Sequence, residues 1–104
     1  MVEILIVEDD RQIANLIKVN LKDAGYKCTC AYDCIEAGDL VERQYFDLVL
    51  LDIMLPGISG YELFDYIREK EIPVIFLTAK AQVKDTVKGL KMGRRIILQN
   101  HLRS

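Results

Sequence analysis

The sequence predicts an α/β fold: a doubly wound parallel sheet of four or five strands with helices on both faces. Three observations predict it. Residues 4–7 (Ile-Leu-Ile-Val), 48–51 (Leu-Val-Leu-Leu) and 73–77 (Pro-Val-Ile-Phe-Leu) are apolar runs without polar alternation, the pattern of strands buried on both faces. Segments with helical spacing of apolar residues lie between these runs, so strand and helix alternate as in βαβ units. The connections are short, and 104 residues suffice for one domain with one core.

The elements follow in order. The first strand stops at the acidic triplet Glu8-Asp9-Asp10. Ile13, Leu16, Ile17 and Leu21 then trace a helix, with Asp9 or Asp10 as N-cap and Gly25 as the stop. Residues 26–32 read as a second strand with Cys28 and Cys30 on one face. Residues 35–44 read as a helix weakened by Gly38. The third strand ends in Asp52, and Pro56-Gly57 supplies turn chemistry before a helix over 61–70. The fourth strand ends at Thr78-Ala79. Val83, Val87, Leu90 and Met92 predict a further helix that stops near Gly93, and Ile96-Ile97-Leu98 a short last strand. No period of about 20–50 residues repeats.

Composition narrows the function. The chain is 51% apolar and 29% charged, as in globular domains and not disordered ones. A net charge of −2 gives no bulk attraction to nucleic acid. The charge is unevenly placed: residues 1–79 carry 7 basic and 15 acidic residues, residues 80–104 carry 7 basic and 1 acidic. Solvated helix faces account for this, as would a basic C-terminal edge that meets an acidic partner. No apolar run approaches the ~18–20 residues of a membrane span, and the N-terminus lacks the basic segment of a signal peptide. The expectation is a cytoplasmic protein with no membrane partner. Three cysteines, an odd number, argue against a disulfide framework. Cys28-x-Cys30-x3-Cys34 lacks zinc spacing and reads as small apolar side chains. The five tyrosines read as packing residues and Lys80 as a solvated lysine beside a helix start; His101, the single histidine, is assigned no role. Neither a G-x-G-x-x-G nor a G-x-x-x-x-G-K-[ST] phosphate cradle is present.

In an open parallel sheet, ligands bind beyond the carboxyl ends of the strands, where the strand order reverses. Those ends carry Glu8, Asp9 and Asp10 after the first strand, Asp52 after the third and Thr78 after the fourth. If the first and third strands are neighbours, their carboxylates converge. Clustered anions repel and raise one another's pKa unless a cation offsets them. All-oxygen ligands suit Mg²⁺ more than Zn²⁺. Such a metal neutralises a phosphoryl group in transfer, and a carboxylate beside it can act as nucleophile. Helix capping is the alternative. It is favoured for Asp10, but it does not readily explain Glu8, Asp9 and Asp52 together.

These stretches resemble the receiver domain of two-component response regulators. Residues 4–10 (Ile-Leu-Ile-Val-Glu-Asp-Asp), 47–57 (Asp-Leu-Val-Leu-Leu-Asp-Ile-Met-Leu-Pro-Gly) and 73–80 (Pro-Val-Ile-Phe-Leu-Thr-Ala-Lys) carry the resemblance in the family's order. It implies a flavodoxin-like sheet with Asp52 as phosphoacceptor. It implies Glu8 and Asp9 as the acidic pair that holds Mg²⁺, with the Met54 backbone carbonyl as a further ligand. Thr78 would be the switch hydroxyl and Ala79 its small neighbour. The resemblance also implies a sensor histidine kinase as phosphodonor. The domain would be a signalling module, not an enzyme proper, that assists its own phosphorylation and dephosphorylation. The wording around Asp52 is similar to the class whose receivers precede a winged-helix DNA-binding domain. DNA would be met only through such an output domain, which these 104 residues do not contain.

The receiver is expected over 1–104, family-like over 1–93 and aberrant over 94–104. Receivers continue with a strand bearing an aromatic switch residue, a Lys-Pro pair and a last helix. This chain instead reads Arg-Arg-Ile-Ile-Leu-Gln-Asn-His-Leu-Arg-Ser from 94 to 104. Back-translated and read one base earlier, that tail can become Ala-Ala-Asp-Tyr-Ile-Thr-Lys-Pro-Phe-Glu-Ile, the expected continuation. A single-base loss in a G-rich stretch near Gly93 would produce the tail. The lysine would have fallen near Asn100 and the aromatic near Ile97. A neutral amide cannot replace that charge, a loss of roughly 1.5–3 kcal/mol. The missing last helix leaves a sheet face beside the first helix partly uncovered, which invites a homodimer. Two alternatives follow: a Mg²⁺-binding remnant that cannot switch, and a Mg²⁺-dependent phosphohydrolase. The latter would want a carboxylate where Met54 stands.

Overall fold

The computed structural model describes residues 1–52 and 60–77. Seven elements alternate: β1 (Glu3–Val7), α1 (Arg11–Asp23), β2 (Lys27–Ala31), α2 (Cys34–Arg43), β3 (Leu48–Asp52), α3 (Gly60–Glu69) and β4 (Val74–Leu77). The four strands form one sheet in the order β2-β1-β3-β4, and every neighbouring pair is parallel. The chain leaves β1 for one side and then returns to its other side as β3. The order therefore reverses at β1, where a doubly wound sheet opens its crevice. The expected fold class holds. The expected turn over 53–59, Thr78, the helix around Val83–Met92 and the tail with its last strand lie outside the described residues.

Strand periodicity of two divides the core. Ile4, Ile6, Leu50, Ile75 and Leu77 face α1 and pack on Ala14, Ile17 and Leu21. Leu5, Val7, Val49, Leu51 and Val74 face the other way, onto Ala37 and Val41 of α2 and Leu63, Phe64 and Ile67 of α3. Both faces of β1 and β3 are thus covered, which is why their sequences show no polar alternation.

The first helix forms where the spacing predicts it, but Leu16 lies off its buried face. It follows helical spacing, yet it is 46% exposed, as is Val19 at 49%. Residues 14, 17 and 21 form the buried stripe, and Leu16 stands about 100° of helix rotation from Ile17, off that stripe.

Asp10, not Asp9, caps α1. Its Oδ1 accepts from the backbone N–H of Gln12 at 3.0 Å and of Ile13 at 3.2 Å, two donors the helix leaves unpaired. Asp10→Ala is expected to cost about 1 kcal/mol, read as a lower urea midpoint at unchanged slope. Gly25 ends the helix as predicted. Its φ of 98° lies in the region that only glycine enters freely, and its N–H donates to the Lys22 carbonyl at 3.0 Å.

The second helix begins at Cys34 behind an Asp33 cap, whose Oδ1 accepts from Glu36 N–H at 2.7 Å while Glu36 accepts from Tyr32 N–H at 2.8 Å. This exchange is close to a capping box. Cys34 is buried while Cys28 and Cys30 are half-buried against the α1 side. Burial raises all three thiols, Cys28 to about 11, so they are inert as nucleophiles at neutral pH. On the far face, Tyr66 of α3 donates to Glu42 of α2, which also pairs with Lys70 at 3.2 Å. At the other end of the sheet, Asp47 Oδ2 accepts from Glu3 N–H at 2.8 Å, while its own N–H donates to the Glu3 carbonyl at 2.8 Å. This clasp sets the register of β1 on β3.

Candidate functional site

The register brings the acids together. Val7 lies level with Leu51 on β3 and with Ala31 on β2, so the next residues, Glu8 and Asp52, emerge side by side at the carboxyl edge. The Glu8 N–H donates to the Ala31 carbonyl at 3.0 Å, which holds the backbone at the strand end. One carboxylate oxygen each from Glu8, Asp9 and Asp52 lies within 4.8 Å of the others. Asp52 ends β3 within the strand itself, level with Leu77 of β4. The acidic triplet of the sequence therefore divides: Glu8 and Asp9 join the cluster, and Asp10 turns away to cap α1.

Glu8 is only 5% exposed, and its Oε2 is a buried oxygen without a hydrogen-bond partner among the described residues. Its carboxyl is pushed up to about 8, first by burial, then by hydrogen bonding to and repulsion from Asp52, and then by Asp9. An anion in this place lacks compensation, so the metal-free site holds a proton at neutral pH. The donor set fits a hard divalent cation. All three candidate ligands are carboxylate oxygens within 4.8 Å of one another, and one carboxylate is buried with an unsatisfied oxygen. Glu8, Asp9 and Asp52 would hold such an ion. Met54 and Thr78 lie outside the described residues.

One feature of this edge was not singled out in the sequence. The Arg11 guanidinium, at the first position of α1, lies 4.0 Å from the centroid of the Tyr32 ring. Tyr32 directly follows Ala31, the β2 residue that accepts from Glu8. The available signal was a cation where helices prefer acids. No helix among the described residues is long and apolar enough to cross a membrane.

Comparison with known proteins agrees with this geometry. The family model of the response regulator receiver domain matches residues 4–101, running into the tail. The chain is similar to the receiver domain of the Francisella response regulator 1452, at 32% identity over 90% of this chain and 79% of that one, with a TM-score of 0.70. It is similar to the response regulator TrrA of Thermotoga maritima, solved in complex with Mg²⁺–BeF, at 35% identity over 88% of this chain and 81% of that one, TM-score 0.73. A chain in the crystal structure of the histidine kinase ThkA in complex with TrrA matches at 41% identity over 76% of this chain and 70% of that one, TM-score 0.71. With its parallel sheet, its converging acids and a family match over nearly its whole length, the chain belongs to the receiver domains of two-component response regulators.

Proposed function

We propose that the chain accepts a phosphoryl group on Asp52 from a histidine kinase, with Mg²⁺ held by Glu8, Asp9, Asp52 and the Met54 carbonyl. The observation that carries this reading is the convergence of three carboxylates, one of them buried with an unsatisfied oxygen. The bound cation would offset the charge of the carboxylates and of the phosphoryl oxygens. Glu8 gives up its proton when a cation is held. An Asp52 carboxylate oxygen attacks phosphorus, the bond from phosphorus to the donor's imidazole nitrogen breaks, and an acyl phosphate forms. Asp52 sits at the end of a covered strand, which holds its backbone in place. Similarity to TrrA, solved with Mg²⁺–BeF and with its kinase, supports the metal and the donor class. Thr78 would answer the new charge and bias a two-state surface, with transcription as the output through a further domain.

A second reading is favoured by one observation. Asn100 and Ile97 stand where the family resemblance places a lysine and an aromatic, so the domain would take the phosphoryl group and fail to switch. The 1–93 portion then carries the chemistry and 94–104 the defect.

Intact mass, before and after Mg²⁺ and a small phosphodonor, tests both. The untreated mass checks residues 94–104 as written. One added phosphoryl group, absent in Asp52→Asn, is expected. No adduct with any donor, together with no beryllofluoride binding, would overturn the phosphoacceptor reading. An adduct without any change of amide spectrum beyond the site would select the second.

A further inference from the structure

The carboxylate edge has a built-in difficulty. A phosphodonor is an anion, and the site that receives it is made of three carboxylates. One divalent cation leaves that set with a net negative charge. The Arg11–Tyr32 stack stands on the β2 side of this edge. Arg11 is two residues from Asp9, so their backbones are within about 7 Å of each other. Its charge rests on a π face, which keeps the guanidinium oriented without neutralising it. Helix α1 has no acidic residue in its first turn, and a cation there works against the helix dipole. Capping does not require Arg11 either, because Asp10 already supplies the cap. Its placement makes sense as local electrostatics for what arrives at the cluster.

We propose that Arg11, held over the Tyr32 ring, sets the charge preference of the site: it draws in dianionic phosphoryl donors and weakens the hold on the divalent cation. The inference rests on the phosphoacceptor reading for its first half and only on the carboxylate cluster for its second. Arg11 acts through the field at the mouth of the site, as a specificity residue that need not touch the phosphorus.

The two halves have opposite signs, which makes the test selective. Arg11→Gln is expected to lower the second-order rate of Asp52 phosphorylation by acetyl phosphate, a dianion, by about three-fold or more at low salt. The effect on phosphoramidate, which carries one charge less, is expected to be smaller. Both differences should vanish at about 1 M salt, where the screening length is about 3 Å. The same variant is expected to tighten Mg²⁺ binding about two-fold at moderate salt, where screening reduces the repulsion between the guanidinium and the divalent ion, measured by direct titration without a donor. Arg11→Lys should recover most of the rate, and Tyr32→Leu should lose part of it by releasing the guanidinium. Equal losses with both donors that persist at high salt would mean that Arg11 acts structurally and would overturn the proposal. If the parent protein takes no phosphoryl group from either donor, the phosphoacceptor reading fails on its own. The Mg²⁺ titration then decides on Arg11, and an unchanged affinity overturns it.

Discussion

Glu8→Gln is expected to stabilise the metal-free protein at neutral and alkaline pH while weakening Mg²⁺ binding by two orders of magnitude or more. The folded-state pKa of Glu8 is raised from 4.5 to about 8 by burial, Asp52 and Asp9. Between those values the folded protein holds a proton that the unfolded chain has released. Stability from this group is therefore fully present below about pH 4.5, is lost as pH rises toward 8, and is flat above. Gln is neutral throughout and removes the slope. In EDTA, urea denaturation should show the two proteins level near pH 5 and the variant ahead by about 1–3 kcal/mol near pH 8.5. With Mg²⁺ the order reverses, because the metal needs the carboxylate and expels its proton. Titrations in buffers of different ionisation enthalpy should therefore show close to one proton released per Mg²⁺ bound to the parent protein near pH 7. A parent protein whose metal-free stability does not change between pH 5 and 8.5 would contradict the buried, protonated Glu8.

Phe64→Ala is expected to cost about 3–5 kcal/mol, a large part of the ~5–15 kcal/mol that holds a small domain together. Phe64 is fully buried between α3 and the sheet, with its ring centroid 4.9 Å from that of Phe76 on β4. No small side chain can refill that volume, so the cavity term adds to the lost transfer energy. Leu16→Ala is the matched control. Leu16 is 46% exposed, so its truncation should cost less than about 1 kcal/mol. Denaturation midpoints of the two variants compare them directly, and similar losses would mean that α1 packs through Leu16 after all.

The contrast between these two residues shows what a sequence can carry. Phe64 and Leu16 are both apolar residues in helices, and spacing alone does not tell the buried one from the exposed one. What separates them is the direction each helix presents to the sheet, which is set by contacts with strands distant in the chain. The all-apolar strands, by contrast, were legible outright. A segment such as Ile4 to Val7 has no polar side to offer solvent, so it had to be covered on both faces. Gly25 was legible for a similar local reason, since a positive φ is the need of a single residue at the helix end.

The site was partly legible. Acids at the ends of Leu-rich and Ile-rich runs marked one edge of a parallel sheet, and the motifs around them resembled a family. As a bare string of acids, Glu8, Asp9 and Asp10 are separated only by the resemblance and by the preference for Asp10 as a cap. Their separation into two cluster members and one cap depends on where β1 ends against β2 and where α1 begins. Asp52 meets Glu8 across 44 residues of chain because β3 lies beside β1. Arg11 and Tyr32 find each other by the same register on the other side.

The sequence by itself therefore determined the alternation of elements, the buried strands and the edge that carries the acids. These follow from hydrophobic period and local hydrogen-bonding needs, which act over a few residues. Only the tertiary structure decided that β3 lies beside β1, that Glu8 is the buried acid, and that the Arg11 guanidinium rests over the Tyr32 ring. Those outcomes depend on strand order and register, and both are set by the packing of the whole sheet.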